Sequence, residues 1–301
     1  MAVTTSLPPA LRDAVLAWYD AEGRQFAIRD STDPYAILVS EVMAQQTQIG
    51  RAAVYWDRWM RRFPTLTTVA MASPADVLRE WAGLGYNRRA LNLQRAARAI
   101  VAQHGGTVPD SVEALERLPG VGPYTARAVA AIAFGRPVAA VDTNVRRVLS
   151  RVASRDGILP PRELQALADD AVPDGRAKAW THAIMDVGAT FCRPRRPRCD
   201  ACPALAWCRY GAVANRQAAA RAMRGGNAPA PRERPFREST RWLRGRLLDR
   251  LRGAPDGAWV EFPAAIGDHG PVAVAEALSA MCADGLLELD ADRTRARLPI
   301  A

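Results

Sequence analysis

Apolar positions recur at helical spacing through almost the whole chain. Residues 8–22 (PALRDAVLAWYDAEG) carry Leu11, Val15, Leu16 and Trp18 along one stripe, as an amphipathic helix requires. Asp33-Pro34 opens a second helix, expected to run through Ile49 (PYAILVSEVMAQQTQI). It is apolar on nearly every side and therefore buried. Further helices are expected over 51–62, 74–82, 88–104, 162–171 and 177–190. Between them, Leu115 to Arg151 reads as a short helix ending at Leu118, a Pro119-Gly120-Val121-Gly122 turn and a helix from Pro123. Proline suits a first helical position because its φ is fixed and it lacks an N–H. After the apolar run Val138 to Val141, Asp142-Thr143-Asn144 reads as another helix start. No stretch before residue 255 shows sustained strand alternation.

From residue 210 to 238 the composition shifts to Ala, Arg, Gly and Pro, which reads as a linker. Beyond it, 239–252 and 271–284 are helical, and LLELD with RARLPI suggests a terminal β-hairpin. The expectation is an all-α body over 8–209 and a small winged-helix-like α+β unit over 239–301. The second helix of that unit (PVAVAEALSAMCAD) has no basic side chain, so packing against the body suits it better than reading a groove.

With 301 residues, 49% of them hydrophobic, the chain is long enough for two domains and a substantial core. The net charge of +10 favours a polyanionic partner. Composition tempers this, because Lys178 is the one lysine among 41 basic residues, and an Arg- and Ala-rich chain also fits a GC-rich genome. No opening stretch resembles a signal peptide and no apolar run reaches transmembrane length, so a cytoplasmic, nucleoid-associated monomer is expected, with no membrane partner.

Three features carry chemistry. The turn Pro119–Gly122 offers glycines that tolerate positive φ and close approach, followed by a helix start whose N–H groups suit a phosphate. Cys192, Cys199, Cys202 and Cys208, spaced C-x6-C-x2-C-x5-C, point to a metal site rather than disulfides in a reducing compartment. Tetrahedral zinc and a [4Fe–4S] cube both remain open on spacing alone. Cys282 lies on an apolar helix face as a core residue. Finally, Glu41 sits inside AILVSEVMA, where a carboxylate is costly without a partner and is pushed toward its neutral form. Asp142, by contrast, opens a helix, where the dipole favours negative charge. A carboxyl group kept protonated and another kept charged are what cleavage of a glycosidic bond requires.

LPGVGPYTA followed by VDTNVRRV resembles the helix-hairpin-helix and catalytic aspartate of the endonuclease III/MutY superfamily of DNA glycosylases. SEVMAQQTQ resembles the helix that carries the catalytic glutamate of the MutY branch, and the cysteine spacing resembles that superfamily's iron–sulfur loop. The likeness runs from about residue 11 to 209. It implies a helix-hairpin-helix glycosylase fold with a [4Fe–4S] cluster on the four cysteines (loop 192–208). It further implies a monofunctional base-excision-repair enzyme acting on double-stranded DNA at adenine mispaired with 8-oxoguanine or guanine. Glu41 and Asp142 would be catalytic, with Tyr124 and Asn144 beside them. Tyr124 holds the place where bifunctional relatives carry a lysine nucleophile, and a chain with one lysine has almost no candidate amine. By the same matching Gln46 fills the opened duplex and Tyr86 (in GLGYNRRALNL) wedges beside the orphan base. Gly120 and Gly122 would grip phosphate, as would Arg88, Arg89, Arg146, Arg147, Arg195 and Arg196.

Arg24, Ile28, Arg29 and His182 fall where the base pocket is expected, and here the chain departs from the pattern. Phe26-Ala27-Ile28-Arg29 replaces the usual Leu-Pro-Trp-Arg, and His182 stands where a Glu or Gln is common, ten residues before Cys192. The roughly 60 residues after the linker are too few for the Nudix-like domain of many MutY proteins. They resemble the short tail of actinobacterial forms. Two rival readings follow: a same-fold enzyme removing uracil, thymine or hypoxanthine, and a non-catalytic DNA-binding protein.

Overall fold

A computed structural model describes residues 6–211, 235–262 and 265–300. Most of the expected linker, 212–234, lies outside the described residues. The helices are α1 (Pro9–Glu22), α2 (Pro34–Ala44), α3 (Ile49–Arg62), α4 (Leu66–Met71), α5 (Pro74–Glu80), α6 (Arg88–His104), α7 (Val112–Glu116), α8 (Pro123–Phe134), α9 (Thr143–Ala153), α10 (Pro161–Asp170), α11 (Ala177–Thr190), α12 (Thr240–Arg252) and α13 (Pro271–Ala283). No helix among the described residues is long and apolar enough to cross a membrane.

Two local expectations are corrected, and one short helix is new. The second helix stops at Ala44, not Ile49, because Gln46 takes a left-handed φ of 54° and the chain turns before α3. The helix before the glycine turn stops at Glu116, short of Leu118. Helix α4, too short to register as a periodic pattern, is held by a capping box between Thr65 and Thr68.

Contacts gather the chain into two compact units, each made of separated segments. The first holds the described residues up to Glu41, then Asp110–Arg117 and Val121 to Gly211. Helix α11 packs there against α1, α8 and α9. Its core joins Leu11, Val15, Leu149, Leu167, Trp180 and Phe191. Small residues set the closest approach: a Cβ on Gly188 would meet Asn144 Cβ at 2.5 Å, so this glycine is what lets α11 lie against the start of α9.

The second unit holds Val42–Pro109, Leu118–Gly120 and the described residues from 235 onward. Trp59 packs edge-on against Phe63 and Trp81, with centroids 4.9 and 5.6 Å apart. Leu243, Leu247, Leu248 and Leu251 on α12 bury one face against α13, and Ala75, Leu78 and Leu91 belong to the same apolar cluster. The terminal hairpin is present as β2 (Glu288–Leu289) and β3 (Arg295–Arg297). A strand absent from the sequence reading, β1 (Val260–Glu261), pairs on the other side of β3, with Val260 opposite Ala296, to give an antiparallel order β1-β3-β2.

Candidate active site

The apolar run of α2 delivers Glu41 into the first unit. There its Oε2 lies 3.4 Å from the Tyr124 hydroxyl, on the first turn of α8, and that hydroxyl is 4.0 Å from Met185 Sδ. Glu41 keeps a window to solvent, yet protein surrounds it closely enough that burial raises its carboxyl to about 7. The Tyr124 hydrogen bond and the Arg29 charge oppose that rise, while the Asp142 carboxylate adds to it. Burial, then the charges of Glu41 and Asp142, push the Tyr124 phenol well above its usual range, so it stays a hydrogen-bond donor.

Asp142 caps α9, accepting the Val145 N–H at 2.6 Å and the Asn144 side-chain amide at 2.9 Å. Asn144 is fixed in turn by Arg147, whose Nη2 donates to its Oδ1 at 2.7 Å. The four expected residues thus form two hydrogen-bonded pairs, Glu41 with Tyr124 and Asp142 with Asn144, and the Asp142 charge acts on the first pair.

The expected base-pocket residues have a partner that the sequence reading missed. Asp186, on α11, is fully buried and accepts from the Arg24 backbone N–H and Nε and from both terminal nitrogens of Arg29, each of these at 2.8–3.1 Å. Burial pushes its carboxyl up, but hydrogen bonds from Arg29 and Arg24 outweigh that and hold it below the ordinary aspartate range. Its signal was the one that exposed Glu41: an acid inside an apolar helix, AIMDVGA. Phe26 lies beneath both guanidinium groups, and Ile28 is buried. His182 is buried, and burial together with the Arg29 and Lys178 charges lowers it to about 3, so its ring is neutral at physiological pH.

Two arginines expected at phosphate face inward instead. Arg147 donates to Cys192 O, Thr143 O and Gly188 O besides Asn144, tying α9 to the cysteine loop. In the second unit, Arg89 donates to the carbonyls of Val42, Met43 and Gln45 and to those of Leu84 and Gly85. Burial lowers its guanidinium to about 10. It thus braces both turns whose tips, Gln46 and Tyr86, adopt left-handed φ of 54° and 46°. Arg88, Arg146, Arg195 and Arg196 are exposed; Arg88 reaches Asp284 at 3.2 Å.

In the glycine turn only Gly120 needs positive φ (77°); Gly122 is extended at −92°. A Cβ on Gly120 would strike Asn92, whereas one on Gly122 would meet nothing, and no side chain caps the helix that follows. That leaves an exposed, uncapped helix start suited to an anion. Lys178 donates to Ser31 O at 2.9 Å.

The four loop cysteines line one pocket together with Phe191, Leu205, Arg151 and Tyr210. Arg151 Nη1 and the Gly211 N–H point at Cys192 and Cys208 Sγ, at 3.4 and 3.3 Å. Among the described residues no three His, Cys, Asp or Glu side chains converge as a single metal ion would need.

The model of the HhH-GPD superfamily base excision DNA repair proteins matches residues 39–174. An adenine DNA glycosylase of Mycolicibacterium smegmatis is 38% identical over 289 residues, 92% of each chain. Among solved structures, a thermostable thymine-DNA glycosylase superposes with TM-score 0.64 at 30% identity, over 67% of this chain and 95% of that one. Endonuclease III in a non-covalent complex with DNA gives TM-score 0.59 at 25% identity, over 68% and 95%.

Proposed function

The chain belongs to the HhH-GPD superfamily of base excision DNA repair proteins, as a MutY-type adenine DNA glycosylase, and on that premise we propose that it excises adenine mispaired with 8-oxoguanine or guanine. It is a monofunctional, DNA-binding hydrolase of N-glycosyl bonds. The observation that carries the mechanism is Glu41, raised to about 7 beside Tyr124 and Asp142.

Near neutral pH a large fraction of Glu41 is protonated, with its proton available to a ring nitrogen of the base. Protonation makes adenine a neutral leaving group. As the glycosidic bond breaks, positive charge grows on the sugar, and Asp142, held by Val145 N–H and Asn144, stabilises it electrostatically. Tyr124 keeps Glu41 oriented and supplies no amine, so no Schiff base with the sugar forms, and water completes an abasic site. Gln46 and Tyr86 act on the opened duplex, Arg88, Gly120, Gly122, Arg146, Arg195 and Arg196 hold its backbone, and Arg24, Ile28, Arg29 and His182 shape the base pocket.

A panel of labelled duplexes, one for each mispair and each followed by alkali cleavage, tests the assignment. Cleavage should be fastest for adenine opposite 8-oxoguanine, followed by adenine opposite guanine. Preferential release of thymine or uracil would favour the rival same-fold reading. No cleavage of any duplex would favour a binding protein.

Cys192, Cys199, Cys202 and Cys208 would hold a [4Fe–4S] cluster. Support comes from a four-thiol set around an apolar-walled pocket with N–H donors aimed at two sulfurs. Bound there, the cluster would cross-link the loop and anchor it to α9 through Arg151. Purified protein should be yellow-brown, with equal iron and sulfide, and Cys202→Ser should lose most of both. Stoichiometric zinc without iron would overturn the assignment.

A further inference from the structure

The second unit carries a groove of about 1210 Å³, and the proposed function uses only the side of it that bears Gln46, Tyr86 and Arg88. One wall is formed by the turns bearing Gln46 and Tyr86. The other is formed by a 3-10 turn at Phe236–Glu238 and the outer face of α12. Among the described residues its only acidic side chain is Asp284, facing a wall rich in arginine.

The arginines are not equivalent. Arg89 and Arg252 are committed to carbonyls and side chains of the protein. Arg88 and Arg244 share Asp284, and Arg246 pairs with Asp249. Arg241 is exposed and lies over the Tyr86 ring, 4.5 Å from its centroid. Two of the exposed large apolar side chains line the same groove: Tyr86, 43% exposed, and Phe236, 62% exposed. Excess positive charge interleaved with partly exposed aromatic side chains suits a nucleic-acid backbone with unstacked bases beside it. An apolar peptide would leave the guanidinium groups unpaired.

We propose that α12 is part of the DNA interface: Arg241, with Arg244 and Arg246 beside it, binds the phosphodiester backbone next to the step where Tyr86 and Gln46 act. This rests on the role proposed for those two residues. It gives the C-terminal unit a task beyond packing, and assigns that task to its first helix. The second helix, α13, has no basic side chain.

The test is duplex binding as a function of salt, using the full-length protein and a duplex with 2′-fluoroadenosine opposite guanine, which resists hydrolysis, alongside a matched duplex. Arg241→Gln should lower the slope of log K against log salt by about one, the loss of one phosphate contact. Binding of both duplexes should weaken several-fold and by the same factor. Arg250→Gln, on the same helix but outside the groove, should leave the slope unchanged. An unchanged slope in Arg241→Gln, or an equal loss in Arg250→Gln, overturns the proposal. Tyr86→Ala separates it from the reading beneath it. If Tyr86→Ala excises and binds normally, the wedge role fails. If it is impaired while Arg241→Gln keeps its slope, the α12 contact alone fails.

Discussion

Glu41→Gln should slow adenine excision by at least about a hundred-fold, the usual loss when a general acid is removed, with duplex affinity near that of the parent. Glutamine keeps the shape and a hydrogen bond to Tyr124 but has no transferable proton. Asp142→Asn should cause a loss of the same order for the opposite reason, keeping the α9 cap while removing the charge that offsets the sugar cation. In the parent enzyme, excision should fall roughly tenfold per pH unit above about 7 as Glu41 ionises. The Glu41→Gln variant should lack that limb.

The same carboxyl makes a stability prediction with a definite sign. Its folded value of about 7 lies above the ordinary 4.5, so the folded state holds the proton more tightly. Stability is then undiminished below about pH 4.5 and lost progressively as pH rises through 7. The cost of ionised Glu41 is at most roughly 3 kcal/mol. Glu41→Gln should therefore melt higher than the parent at pH 8 and no higher at pH 4. Single-turnover excision across pH, equilibrium binding and thermal melts check all of this. Near-normal excision by either variant, or a loss explained by failed binding, would sink the paired-carboxylate mechanism.

Asp186→Asn should be the most damaging single change to the fold of the first unit. Arg29 and Asp186 are both buried, with side chains 7% and 0% exposed, and the substitution leaves a guanidinium without its counter-charge. Breaking such a pair costs about 3–5 kcal/mol, or a melting temperature lower by roughly 10 °C for a domain of this size. Because the folded carboxyl lies below the ordinary range, its contribution is present above about pH 4 and disappears only as pH falls through the folded value. The gap between variant and parent should thus close only in acid.

Replacing both partners, Arg29→Met with Asp186→Leu, should restore much of the stability, since apolar side chains of similar volume can substitute for a buried pair. It also removes the Arg29 charge that holds Glu41 down. The alkaline limb of excision should therefore move to higher pH, a readout that a purely structural role would not change. A double variant that is stable but has the parent's pH profile would show that Arg29 does not tune Glu41.

Much of the molecule is written in its local pattern. The 3.6-residue period placed nearly every helix, Asp142-Thr143-Asn144 announced a cap, and an acid inside AILVSEVMA announced a perturbed carboxyl. These are one-dimensional signals, because helix period, capping and burial cost depend on neighbours within a turn or two. The meeting of Glu41, Tyr124 and Asp142, drawn from positions far apart in the chain, belongs to the tertiary structure alone. Resemblance to a family could imply that meeting, but spacing could not.

The direction of each arginine was equally invisible. Arg88 and Arg89 are adjacent, yet one is exposed and the other spends its hydrogen bonds on the carbonyls around the Gln46 and Tyr86 turns. A guanidinium satisfies carbonyls and phosphates alike, and only the packed chain determines which it meets. The early end of α2 and the pairing of β1 with β3 have the same cause. Both depend on partners brought from distant sequence, which no local period encodes.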